Sequence, residues 1–138
     1  MSSNLPILSI ISLSAPKWED TVKAWRDLFG YKVLETGYLS YGLAETWNAI
    51  NNVDSRVAIL AYPNKLNTTF IRIIENSHPD NYEHLRSFGW SSINIKVSNL
   101  ISILKKLENS DFEIIENITS KNYQSTIENF LHIKGLSD

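Results

Sequence analysis

An arginine in the middle of an apolar strand is the most pointed chemical feature of this sequence. Arg72 lies within Thr68–Glu75 (TTFIRIIE). β-Branched and aromatic residues dominate that stretch and nothing in it breaks a sheet, so it reads as a strand. Period-two alternation puts Thr68, Phe70, Arg72 and Ile74 on one face and Thr69, Ile71, Ile73 and Glu75 on the other. A buried, unpaired charge is costly, which leaves Arg72 two readings. It sits at a sheet margin with its stem packed and its head in water, or it stands in a cavity as an anchor. As an anchor, its planar fork of donors suits a carboxylate or a phosphate.

The remaining candidates are thinner. Glu75, His78 and His84 are close in sequence, but Glu75 ends a strand and both histidines fall in a polar segment. The spacing that would converge them belongs to a helix, so a metal site is not expected there. His132 shares a strand face with Phe130 and Lys134; it is a pocket acid or base, or else a half-exposed strand histidine. Glu75, His132 and Tyr41 are therefore the candidates for acid–base work. The chain has no cysteine, which removes thiol nucleophiles, disulfides and zinc knuckles together and fits a reducing cytoplasm.

The elements that must position these residues follow from pattern. At 138 residues, with 43% hydrophobic and 11% aromatic content, the chain is long enough for about one domain with a real core. A net charge of -2 and a pI near 5.9 offer no basic stripe for nucleic acid. No apolar run approaches the roughly 20 residues of a membrane span. Leu5–Leu13 lacks the basic leading region and cleavage site of a signal peptide.

Pro6–Ser14 is the first expected strand. Pro16 opens a helix with Glu19 and Asp20 at its positive end, and Trp18, Val22, Trp25 and Phe29 form its buried stripe. Gly30 stops it. Tyr31–Thr36 is a second strand, Gly37–Asn52 an aromatic loop with a turn at Asn51-Asn52, and Ser55–Tyr62 a third strand before the Arg72 strand. Residues 7–77 thus read as one βαβββ module. A linker over 78–87, with Pro79-Asp80-Asn81, precedes a second module over 88–138. There Trp90–Val97 reads as a strand. Ser98 caps a helix whose apolar face is Leu100, Ile101, Leu104 and Leu107, with Lys105-Lys106 at its negative end. Phe112–Glu116 (FEIIE) matches Tyr31–Glu35 (YKVLE) in its aromatic, aliphatic and acidic positions, which reads as an internal repeat. One more strand, Asn129–Lys134, ends the pattern. By the count of the first module, the second lacks its last strand.

The segments Ala24–Glu35 (AWRDLFGYKVLE), Thr69–Glu75 (TFIRIIE) and Phe88–Leu100 (FGWSSINIKVSNL), with the tail from SDFEIIEN to NFLHIKG, resemble the vicinal oxygen chelate superfamily. That is the group of glyoxalase I, bleomycin-resistance proteins and extradiol dioxygenases. The resemblance implies an α+β fold: paired βαβββ modules forming a cupped mixed sheet with helices outside, the second module here incomplete. In that family sheet the fourth strand of a module lies between the first and the third. Catalytic members hold a divalent metal through His, Glu or Gln on the first and fourth strands of each module, where it acts as a Lewis acid. Carried onto this chain, the first-strand position falls within Leu8–Ile10, where nothing ligates. The fourth-strand position falls on Arg72 and the next on Ser92, and the last lies on the missing strand. The resemblance therefore implies no metal of the usual kind, and no cofactor is expected.

What remains is a metal-free cup lined by the Arg72 face. Phe70, Ser92, Trp90, Trp47, Tyr38 and Tyr41 are its candidate walls, an apolar surface with a few polar groups, although Trp18 and Trp25 read as core and packing is a standing alternative for Trp47 and Trp90. Three functions fit. The first is a module binding a small anionic or aromatic molecule. The second is a lyase, isomerase or dioxygenase-like enzyme with an atypical site. The third is one part of a larger or hetero-oligomeric enzyme. A homodimer or a companion chain would supply the missing strand.

Overall fold

The computed structural model describes residues 9–63, 69–77, 93–95, 97–110, 112–123 and 126–134. The chain divides into two compact units, Met1–His78 and Pro79–Leu136. The fold is α+β, with a four-stranded, open mixed sheet in the first unit.

In that unit β1 (Ile10–Ala15) is followed by α1 (Trp18–Asp27), β2 (Lys32–Tyr38), the short helix α2 (Tyr41–Thr46), a 3₁₀ turn at Ile50–Asn52, β3 (Arg56–Ala61) and β4 (Phe70–Glu75). The strand order is β1-β4-β3-β2. β1 runs parallel to β4, while β3 is antiparallel to both β4 and β2. The parallel pair is possible because the long path through α1, β2 and β3 returns the chain in the right direction.

Alternation along each strand divides the sheet into two faces. Ala15, Ala58, Leu60, Ile71 and Ile73 point to one of them and are buried, all but Ile71 completely. α1 covers that face, burying Ala24, Trp25 and Leu28. The helix ends where Gly30 takes φ +73°, a left-handed conformation that costs glycine nothing. Tyr31 N–H then donates to the carbonyl of Trp25 at 3.2 Å. Edge-on ring contacts from Trp25 to Tyr31 and from Tyr31 to Tyr62, at 5.0 and 5.7 Å, fasten the helix end to the end of β3. Trp18 departs from the expected core position. It is half-buried, and its indole N–H donates to the carbonyl of Ile73 at 3.1 Å, a polar demand that keeps the ring at the margin.

The stretch expected as a loop over Gly37–Asn52 is more ordered than its composition suggested. β2 continues to Tyr38, and Ser40 caps α2 by accepting from Leu43 N–H at 3.4 Å. Asn51-Asn52 lies in the 3₁₀ turn. Backbone bonds between Leu39 and Ser55 (2.9 Å) and between Asp54 and Leu39 (3.0 Å) close the excursion at its base.

The second unit contains α3 (Leu100–Leu107), β5 (Glu113–Tyr123) and β6 (Thr126–Lys134), the two strands paired antiparallel. Four details differ from the sequence reading. Asn99 caps α3, accepting from Ser102 N–H at 3.0 Å, so Ser98 does not. Ile103 takes the place of Ile101 on the inner face, and Ile101 is 66% exposed. Ile93–Ile95 and Val97 are not in a strand; the rest of the expected Trp90–Val97 strand lies outside the described residues. β6 starts three residues before the expected Asn129.

The two units share one irregularity. The β2–β3 register shifts between Val33 and Glu35, and the β5–β6 register shifts between Ile114 and Glu116. Those positions coincide in the alignment of YKVLE with FEIIE. Each unit thus has a helix, then a strand bulged at the same place, then an antiparallel partner. A β-bulge inserts one unpaired residue and bends the strand; here those residues are Leu34 and Ile115.

Candidate functional site

The sheet face away from α1 carries Ile10, Ser12 and Ser14 from β1, Phe70, Arg72 and Ile74 from β4, and Val57 and Ile59 from β3. Arg72 stands at its centre. The register sets Ser12 beside it on β1 and Ile59 beside it on β3. Phe70 and Ile74 flank it along its own strand, each about 6.6 Å away at Cα by strand geometry. Ser12 is exposed, Arg72, Val57, Ile59 and Ile74 are half-buried, and Phe70 keeps 36% of its surface. The face is apolar and open, with a cation in the middle.

The excursion between β2 and β3 brings Trp47 onto that cation. The residue ends α2, and its ring centroid is 4.5 Å from the Arg72 guanidinium carbon. A guanidinium over an indole face is attracted by the ring quadrupole. Arg72 Nη1 also donates to Ser12 Oγ, at a long 3.4 Å. Among the described residues the ion pairs are Arg26–Asp27, Arg56–Glu19 and Arg56–Glu75; none includes Arg72.

The opposite face holds a second arginine–tryptophan pair, and there the charge is satisfied. Arg56 Nε and Nη2 donate to the two oxygens of Glu75, each at 2.7 Å, and Nη1 donates to Glu19. The guanidinium carbon is 4.8 Å from the centre of a Trp18 ring. The Arg56 hydrogen bonds hold the Glu75 carboxyl below the usual carboxylate range. A hollow lined by Pro16, Lys17, Trp18, Glu19, Asp20 and Arg56 lies here, but its arginine is already neutralised.

The sequence candidates thus separate. Arg72, Phe70 and Trp47 share the open face. Glu75 does not: it pairs with Arg56 on the helix-covered face, so it is no acid or base beside Arg72. Tyr38 is opposite Arg56 in the β2–β3 ladder, which places it on that same face, 72% exposed, and removes it from the walls of the Arg72 site. Tyr41 is in the first turn of α2, 59% exposed. Ser92, Trp90, His78 and His84 lie outside the described residues. His132 is placed only by its backbone, opposite Glu116 in the β5–β6 ladder. Among the described residues no three His, Asp or Glu gather as a metal cage requires, and no helix is long and apolar enough to cross a membrane.

Ser12 was missed, as was Ser14 one step along. The resemblance puts the first-strand ligand position within Leu8–Ile10, whereas the residue that the parallel register sets beside Arg72 is Ser12, two residues beyond. The signal was available in ISLS, where two serines spaced by one aliphatic residue share a strand face. Compared with protein-family models, curated proteins and solved structures, the chain matches none.

Proposed function

We propose that this chain is a glyoxalase-like binding module that holds a small anionic or aromatic molecule on the Arg72 face without a metal, in the cytoplasm. One observation carries the reading. Arg72 is a half-buried cation on an apolar, open sheet face, stacked against Trp47, with no carboxylate paired to it among the described residues. Such a cation, with its stem on an apolar face and its planar donors at the surface, can take an anion through its fork. Apolar walls with few polar groups are the usual make-up of a small-molecule site.

The superfamily reading has two supports. The order β1-β4-β3-β2 sets the fourth strand between the first and third, and the shared bulge position of the two units fits a duplicated module. The enzymatic alternative needs an acid or base beside Arg72, and among the described residues Glu75 is across the sheet.

The test is native mass spectrometry of the purified chain under conditions that retain small molecules and metals, followed by a fragment screen by ligand-observed NMR. We expect a metal-free chain and a set of small ligands whose binding is lost in Arg72→Ala. One stoichiometric divalent metal per chain, or ligands indifferent to Arg72→Ala, overturns the reading.

A further inference from the structure

The two arginine–tryptophan pairs of the first unit are built alike. In the satisfied one, the Arg56 guanidinium lies against Trp18, its Nη1 is taken by Glu19, and its Nε–Nη2 edge is filled by both oxygens of Glu75. In the other, the Arg72 guanidinium lies against Trp47 and its Nη1 is taken by Ser12 Oγ. Its Nε–Nη2 edge has no partner among the described residues. We infer that this edge is the seat of an external carboxylate, and that the ligand is a monocarboxylic acid with a flat apolar body, of the aryl carboxylate class. This rests on the binding-module reading above and narrows it.

Three features select the class. The free edge of a guanidinium presents two parallel N–H groups, whose spacing matches the two oxygens of one carboxylate. The charge to be met is a single one. The other charged residues that the register places on this face, Lys32 and Glu35, are on the edge strand β2, opposed in sign and exposed. A phosphate dianion would call for more donors than one guanidinium edge and a hydroxyl. The register neighbours of Arg72 on this face, Phe70, Ile59 and Ile74, offer apolar cover to a flat substituent.

The experiment is an NMR titration of the full chain, reading the arginine Nε–H resonances, with Arg72 assigned through Arg72→Lys. The probes are benzoate, benzamide, phenyl phosphate and acetate. We expect benzoate to move the Arg72 Nε–H signal and leave that of Arg56 in place. Benzamide, phenyl phosphate and acetate should each bind at least tenfold more weakly, and Arg72→Lys should lose at least tenfold for benzoate while keeping a folded spectrum. Phenyl phosphate binding more tightly than benzoate overturns the carboxylate assignment and leaves the anion site standing. Benzamide equal to benzoate removes the charge from recognition and overturns the assignment while an aromatic site remains. No probe moving any resonance of the Arg72 face overturns the inference; if the fragment screen is also empty, the binding-module reading falls with it.

Discussion

Arg56 and Glu75 give the first unit a pH dependence whose sign is fixed by their geometry. The two hydrogen bonds from Arg56 depress the Glu75 carboxyl, so the folded state favours the ionised form. A group with a depressed folded value contributes stability above its unfolded value, about 4.3 for glutamate, and loses it as pH falls through the folded value. Both side chains are about one-third exposed, at 34% and 36%, so salt weakens the pair. Urea unfolding of the wild type and Glu75→Gln should show the variant less stable at pH 7. The gap between them should close as pH falls below about 4. A gap unchanged at pH 3 would mean that Glu75 acts through packing. The same strand illustrates what residue spacing reveals. Alternation along FIRIIE already put Arg72 and Glu75 on opposite faces. It did not identify Arg56 as the partner of Glu75, because that pair depends on which strand lies beside β4.

At the scale of elements, the site depends on a helix that the sequence hid. α2 has six residues, too few to stand without tertiary support. Its residues, YGLAET, include a glycine and show no apolar stripe, so no helical period was visible. What fixes it is the Ser40 cap, the buried Ala44 beneath it, and the backbone bonds that close the excursion at Leu39 and Ser55. Removing a serine cap costs about 0.5–2 kcal/mol. Ser40→Ala should lower stability by about 1 kcal/mol in urea unfolding, and it should also weaken binding at Arg72, since Trp47 ends this helix. Trp47→Ala should weaken binding without the comparable loss of stability. If Ser40→Ala leaves binding intact, the cap does not position Trp47. The long elements were legible for the opposite reason. α1 and β3 carry strong patterns, and the FEIIE and YKVLE segments, similar in sequence, each shift register at the same place, at Leu34 and Ile115.

At the scale of the whole molecule, the open edges set the last expectation. The first sheet is bordered by β1 and β2. β2 is exposed along its length, bulged at Leu34, and carries Lys32 and Glu35, devices that discourage further strand addition. Among the described residues, the second unit matches the α1-β2-β3 portion of the first. Among its described residues nothing corresponds to β1 or β4, and β5 and β6 form a two-stranded ribbon. Such a ribbon is marginal unless a further strand or a helix completes it. With no third strand on either side among the described residues, the ribbon is expected to pair with a strand from outside, most simply from a second copy. Sedimentation of the chain across a hundredfold concentration range should show a dimer of the 15.8 kDa chain, and its melting temperature should rise with concentration, as mass action requires of a dimer. Hydrogen exchange should place the added protection on β5 or β6. A monomer at every concentration, with slow exchange already present along both strands, would mean that α3 or other segments of the same chain complete the ribbon, and the dimer expectation would fail.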